Sequence, residues 1–403
     1  MGLIDNRTPR LLVAAMTLSH RITTLTPDGD DGWGLFYRSR QMIAAGEPVT
    51  ELTIGEHDIR TDASILEAMH RAAAGGHTGY ASVPGTPALR QAVADRISQR
   101  TGVATTPDNV LITPGGQAGL FAAHMAVLNP GDTAGYIDPY YTTYPGTLRG
   151  AGAVPLPITT RAAQNFQPQA EDLRALKGAA SLLVNSPNNP TGVIYDAATM
   201  GAIAAAAQEH DLWLISDEVY DTQVWEGAHI SPRALPGMAS RTLVVGSMSK
   251  SHAMTGSRIG WVVGPTEAIA HMTNLATHTT YGVPGYIQDA AVFALGEGEA
   301  LEEKIAAPFR RRRAIAAKAL AGQNVVRALP AMGAMYLMLD IRATGLSGAE
   351  FGERLLDTHR IAVMPGESFG TSAAGHIRVA MTTDDAAFEA ALHTLVAFAQ
   401  GLA

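Results

Sequence analysis

The chain has 403 residues, 46% of them apolar, and carries 37 acidic against 29 basic side chains, a formal net charge of −8. That balance offers no overall basic face for a polyphosphate backbone and argues against nucleic-acid binding, while the length leaves room for two or three domain-sized units. There is no cysteine, which excludes disulfides, thiolate metal sites and cysteine nucleophiles. Only Lys177, Lys250, Lys304 and Lys318 are lysines, so few residues can supply a primary amine.

In chain order, the opening MGLIDNRTPRLLVAAM carries an early acid and only a short apolar patch, unlike an export signal. Residues 109–131 are free of charge, but Pro114, Gly115, Gly116, Gln117 and Asn129 make them a poor lipid span. A cytoplasmic enzyme is therefore expected. The first sixty residues hold too little apolar pattern to fold alone and are expected to join the C-terminal part of the chain. From about residue 60 to residue 300, short and continuously apolar runs alternate with Ala-rich helical stretches. The runs at 109–113, 134–137, 181–185, 212–216, 242–247 and 260–264 read as buried strands. This alternation predicts an α/β fold in which a mostly parallel sheet is sandwiched by helices. The last hundred residues predict a smaller α+β unit: a long charged helix, strands at AMYLMLDI and HIRVAM, a helix between them and a closing helix. The expected division is a large domain at 61–299 and a small one built from 1–60 and 300–403.

Several motifs can be weighed on their chemistry. Gly115-Gly116-Gln117-Ala118-Gly119 follows a strand and opens a helix, with Asp138 about twenty residues on. The first glycine of a dinucleotide fingerprint would have to be Pro114, so a helix N-terminus binding some phosphate is the better reading. Ser247-Met248-Ser249-Lys250 spells the Ser-x-x-Lys of acyl-transferring enzymes, but no Lys-Thr-Gly element accompanies it. The run Arg310-Arg311-Arg312-Arg313 reads as a solvated helix face. His271 and His278 could share a helix face, but they lack further ligands for zinc, and no metal site is expected.

Among the lysines, Lys177, Lys304 and Lys318 lie on charged helices where exposure is expected. Lys250 alone follows a buried strand. Desolvation there depresses the amine pKa and frees a nucleophile, which suggests Schiff-base chemistry, with pyridoxal phosphate as the commonest carbonyl partner.

The stretch from Ser247 through Lys250 and Arg258 to Gly260 resembles the cofactor-attachment signature of class I aminotransferases, which are pyridoxal 5'-phosphate enzymes of fold type I. Ser186-Pro187-Asn188-Asn189-Pro190-Thr191-Gly192 resembles that family's Asn-Pro-Thr-Gly loop, and Asp217-Glu218-Val219-Tyr220 its Asp-x-x-Tyr element. The wording of SKSHAMTG, GWVVGP, IQDAA and AAGHIR is similar to arginine–pyruvate type transaminases. The resemblance implies transamination between an L-amino acid and a 2-oxo acid by a ping-pong mechanism, with Lys250 holding the cofactor as an imine. It also implies catalytic roles for Lys250, Asp217 and Tyr220, with Asp217 on the ring nitrogen and Tyr220 and Asn189 on the phenolic oxygen. Gly116, Gln117, Ser247 and Arg258 would hold the phosphate. Tyr141 aligns with the aromatic residue that stacks on the ring, with Tyr140 and Tyr144 as alternatives. Tyr80 resembles the tyrosine that reaches a phosphate in the neighbouring subunit, so a homodimer is implied. Arg378 would grip the substrate carboxylate, with Gly55 and Asn189 beside it. After Gly55 the sequence departs from the family pattern and reads Glu56-His57-Asp58-Ile59-Arg60. Glu56 and Asp58 could meet a cationic side chain or face solvent. The alternative reaction on the same fold is C–S or β-elimination.

Overall fold

The computed structural model describes residues 16–27, 29 and 31–403, so the expectation about the extreme N-terminus lies largely outside the described residues. The strands in chain order are β1 (Thr50–Glu51), β2 (Val110–Thr113), β3 (Thr133–Asp138), β4 (Val154–Thr159), β5 (Ser181–Asn185), β6 (Trp213–Asp217) and β7 (Thr242–Ser247). They continue with β8 (Gly260–Val263), β9 (Arg327–Ala328), β10 (Tyr336–Asp340), β11 (Ile361–Ala362), β12 (Met364–Pro365) and β13 (His376–Ala380).

A seven-stranded sheet runs in the order β2-β8-β7-β6-β5-β3-β4. Only β8 is antiparallel to its neighbours, β2 and β7, and the other adjacent pairs are parallel. Parallel strands need helical crossovers, and crossovers cover both faces. This is why β5 and β7 are buried at every position. The period of two is visible inside the continuous apolar run of β5. Leu183 joins a core with Ile215, Val245 and the helix Gly116–Val127, whereas Leu182 and Val184 join another with Leu214 and the helix Ala197–Glu209.

The apolar pattern pointed to six of these strands and missed β4. Its sequence VPLPIT carries Pro155 and Pro157, and among the described residues it pairs only with β3, at the sheet edge. Proline lacks the N–H that an interior strand must donate, so this sequence is tolerated only there.

A second sheet, β12-β13-β10-β9, is antiparallel and packs on the closing helix Asp385–Gln400. Segment 50–51 joins this region through the parallel pair β1 and β11, with Thr50 opposite Ile361. Leu35, on the helix Gly34–Ala44, packs beside Leu356 and Ala362.

The basic run on the helix Gly298–Ala319 is not a uniformly solvated face. Arg312 is only 3% exposed. Its guanidinium donates to both carboxylate oxygens of Asp58 at 2.8 and 2.6 Å, to Asp385 at 2.9 Å and to the Met381 carbonyl at 3.0 Å. A four-residue run of like charge cannot reveal this, because the partners come from distant segments. Among the described residues, no helix is long and apolar enough to cross a membrane.

Candidate active site

Strands β5, β6 and β7 end side by side at Asn185, Asp217 and Ser247, and the helix Gly116–Val127 begins next to them. Carboxyl ends of parallel strands and helix N-termini supply free backbone donors, so ligands gather there. A cavity of about 290 Å³ opens at this edge. It is lined by Gly55, Gly116, Gln117, Tyr141, Asn189, Asp217, Tyr220, Ser247, Lys250, Arg258 and Arg378, which unites every site residue expected from the sequence except Tyr80. The Tyr80 ring is 93% exposed and lies edge-on to Tyr281 at 5.3 Å, away from this chain's own cavity.

Lys250 sits in the short helix Met248–Ser251 directly after β7, and its Nζ donates to the Gly55 carbonyl. Burial pushes the amine down from 10.5 to about 8, aided by the positive charges of Arg378 and Arg258, while Glu56 opposes the shift. The other three lysines are exposed, and Lys304 pairs with Asp62 at 2.5 Å.

Asp217 is 5% exposed. Its Oδ2 accepts from the Tyr144 hydroxyl at 2.7 Å and its Oδ1 from the Val219 amide at 3.3 Å. Burial raises the carboxyl to about 6, against the lowering effect of those two donors. Among the described residues no cation lies within ion-pair distance of it, so the site lacks a positive partner. The backbone around it is fixed by Asn185, whose amide donates to the Asp217 carbonyl at 2.9 Å and whose side-chain oxygen accepts from the Asn189 amide at 2.8 Å.

At the other end of the cavity, donors converge on the start of the helix Gly116–Val127. Gly115 has φ +82°, a conformation that suits glycine, and a β-carbon there would collide with the Arg258 guanidinium. Arg258 itself adopts φ 50° and donates to the Thr255 carbonyl at 2.9 Å. Ser247 and Ser249 hydroxyls are hydrogen-bonded to each other at 3.0 Å. The Gln117 side chain binds Thr143 and Thr147, which leaves its backbone amide as its contribution to the helix start.

Arg378, 1% exposed on β13, lies between the rings of Tyr336 and Phe369, each 4.4 Å from its guanidinium carbon. It donates to Asn189 Oδ1 at 2.8 Å and to the Thr53 carbonyl, while its buried Nε has no partner among the described residues. Arg378 lines the cavity, and a buried guanidinium there is suited to a planar carboxylate.

Tyr144, Tyr336, Trp33, Asn185, Ser249 and Thr255 also line the cavity and had no role, or a different one, in the sequence reading. Tyr336 could have been found once Arg378 was placed, because Met338 faces Arg378 across β10 and β13 and Tyr336 is its diagonal neighbour. Of the three candidate stacking tyrosines, Tyr141 and Tyr144 line the cavity, whereas Tyr140 turns its ring edge to Tyr136 at 4.8 Å.

The sequence matches the family model described as aminotransferase class I and II over residues 47–395. The chain belongs to this family. It is 43% identical to the arginine–pyruvate transaminase of Pseudomonas aeruginosa over 356 residues, 88% of this chain and 91% of that one. It is 34% identical to the aspartate/prephenate aminotransferase of Thermus thermophilus over 374 residues, 91% of this chain and 95% of the relative. The structure superposes on that of aspartate aminotransferase from Thermus thermophilus with maleate at a TM-score of 0.88, with 34% identity, covering 96% of this chain and 99% of the other. The aminotransferase fold therefore extends over almost all of the described chain, and the chain is a transaminase of a pyridoxal-phosphate-dependent family.

Proposed function

We propose that the chain transfers an amino group from an L-amino acid to a 2-oxo acid by a ping-pong mechanism, with pyridoxal 5'-phosphate as cofactor and Lys250 as its attachment point. The observation that carries this reading is the Lys250 amine, held near pKa 8 in a cavity shared with Asp217, Arg258 and Arg378.

The donor set fits that cofactor. Asp217 is a buried carboxylate without a cation, suited to a protonated ring nitrogen. The start of the helix Gly116–Val127, with Ser247 and Arg258, suits a phosphate dianion. When bound, pyridoxal phosphate supplies a carbonyl that takes up the amino group and an electron-poor ring that delocalises the charge developing at the substrate α-carbon. With the group bound, Lys250 Nζ would be the base that takes the substrate α-proton and the acid that returns it. Asp217 Oδ2, aligned by Tyr144, would hold the ring nitrogen protonated. Tyr220 and Asn189 would donate to the phenolic oxygen, and Tyr141 would pack on the ring. Arg378, with Gly55 and Asn189, binds the substrate carboxylate and orients the α-carbon toward Lys250.

A division into a large domain at 61–299 and a small one from 1–60 and 300–403 would put Lys250 on one side of the cleft and Gly55 and Arg378 on the other. The exposure of Tyr80 and its 55% exposed partner Tyr281 supports a homodimer in which Tyr80 reaches the neighbouring subunit's phosphate site.

The test is incubation of the holoenzyme with single amino acids, with and without pyruvate or 2-oxoglutarate, in wild type and Lys250→Ala. Sustained turnover that needs an added oxo acid, and is lost in the variant, is expected. Repeated turnover without any oxo acid, beyond the one equivalent of 2-oxo acid per site that the first half-reaction releases, identifies an elimination enzyme instead, and full turnover by Lys250→Ala overturns the assignment of Lys250.

A further inference from the structure

The relatives' names span arginine–pyruvate and aspartate/prephenate, so the class of side chain accepted must come from this cavity's own residues. We infer that Glu56 selects the substrate side chain, and that the preferred amino donors end in a cationic group on an aliphatic stem, as L-arginine, L-lysine and L-ornithine do. The inference rests on the reading of the cavity as a transaminase site.

The two acids of the departing segment Glu56-His57-Asp58-Ile59-Arg60 have separate fates. Asp58 is committed to the buried Arg312, which donates to both of its oxygens. Glu56 lines the cavity and has no cation at ion-pair distance among the described residues; its Oε1 accepts from the Thr255 hydroxyl at 3.1 Å.

The charges lining the cavity can be accounted for one by one. They are Lys250, Arg258 and Arg378 on the positive side and Asp217 and Glu56 on the negative side. Arg258 serves the phosphate, Arg378 the α-carboxylate, Asp217 the ring nitrogen, and Lys250 the covalent attachment. Glu56 alone has no assigned ligand group: its charge raises the Lys250 amine, but no cation lies at ion-pair distance from it among the described residues. No further cation lines the cavity among the described residues, so the distal carboxylate of an acidic substrate would meet Glu56 with nothing to hold it.

The contacts of segment 53–56 also give an order along the cavity wall. The Thr53 carbonyl accepts from Arg378, the Gly55 carbonyl from Lys250, and the Glu56 carboxylate from Thr255. A substrate with its carboxylate on Arg378 and its amine at Lys250 has its side chain in the same cavity as Glu56. Ile54 and Trp33, which line the same cavity, offer apolar surface to a methylene stem. A carboxylate in that cavity attracts a cation and repels a second carboxylate, which discriminates by both affinity and exclusion.

The experiment measures kcat/KM of the holoenzyme for L-arginine, L-lysine, L-norleucine and L-aspartate, with pyruvate and 2-oxoglutarate as acceptors, in wild type, Glu56→Gln and Glu56→Lys. The cationic donors should exceed norleucine at least tenfold, and aspartate should fall below it. Glu56→Gln should cut the arginine-to-norleucine ratio about tenfold, chiefly through KM, and Glu56→Lys should invert the order of arginine and aspartate. An arginine-to-norleucine ratio unchanged in Glu56→Gln, or a wild-type preference for norleucine or aspartate, overturns the inference. Calorimetric binding of arginine and norleucine to Lys250→Ala, with and without Glu56→Gln, separates the two readings. Transamination of the panel without charge discrimination sinks only the role of Glu56. Charge-dependent binding that is lost in Glu56→Gln, without amino transfer by the wild type, sinks only the transaminase reading.

Discussion

The hydroxyl of buried Tyr144 donates to Asp217 Oδ2 at 2.7 Å in the wall of the cavity. Hydrogen bonds to a buried charged group are worth about 1.5–3 kcal/mol, and this one favours the ionised carboxylate that a cationic ring nitrogen needs. Tyr144→Phe should therefore weaken pyridoxal phosphate binding by roughly 10-fold or more and lower kcat, while the fold persists. Cofactor titration by absorbance or fluorescence checks this, and unchanged affinity would remove Tyr144 from the machinery.

Asp217 also makes a prediction about stability. Its folded-state pKa of about 6 lies above the ordinary 3.8. A raised carboxyl pKa contributes stability that is fully present below about pH 4 and is lost as pH rises through about 6. Two units correspond to a loss of about 3 kcal/mol. Protein stripped of cofactor should therefore be less stable at pH 7.5 than its Asp217→Asn variant by up to about that amount, with the gap closing near pH 4 and with turnover absent in the variant. Denaturant unfolding at the two pH values measures it; equal stabilities at pH 7.5 would contradict the burial argument.

The depressed amine of Lys250 should appear in kinetics. Below pH 8 its Nζ is increasingly protonated and cannot attack a carbonyl, so covalent attachment of pyridoxal phosphate to stripped protein should accelerate with pH around a midpoint near 8. Stopped-flow absorbance follows the reaction. A midpoint near 10.5, the value of an ordinary lysine, would show that the cavity does not desolvate the amine.

The assignment of Tyr80 to a partner's phosphate site can be tested by mixing two impaired proteins. Lys250→Ala and Tyr80→Phe subunits, unfolded together and refolded, should form hybrids in which one of two sites has both residues intact. Activity should then exceed that of either variant alone. If the mixture gains nothing, Tyr80 does not act across subunits.

Much of the site was legible in the sequence because its residues sit where local patterns change. Asp217 closes a continuously apolar strand and Lys250 stands just past another, and a strand buried on both faces can place polar chemistry only at its ends. The Gly115-Gly116 turn announced a helix start for the same reason. The α/β alternation fixed the parallel sheet, since burial on both faces demands uninterrupted apolar runs, and it failed at β4, where proline and edge exposure weaken that demand.

Tertiary structure alone decided what depends on segments far apart in the chain. It separated Tyr144, hydrogen-bonded to Asp217 across 73 residues, from Tyr140 only four positions before it. It buried Arg312 against Asp58 across 254 residues, and so left Glu56 as the one acid of its segment in the cavity. Composition and periodicity record how strongly each side chain prefers water, and a charged residue prefers it equally whether it ends in solvent or in an ion pair. The choice between those fates lies in the geometry of the partner, which no local stretch of sequence contains.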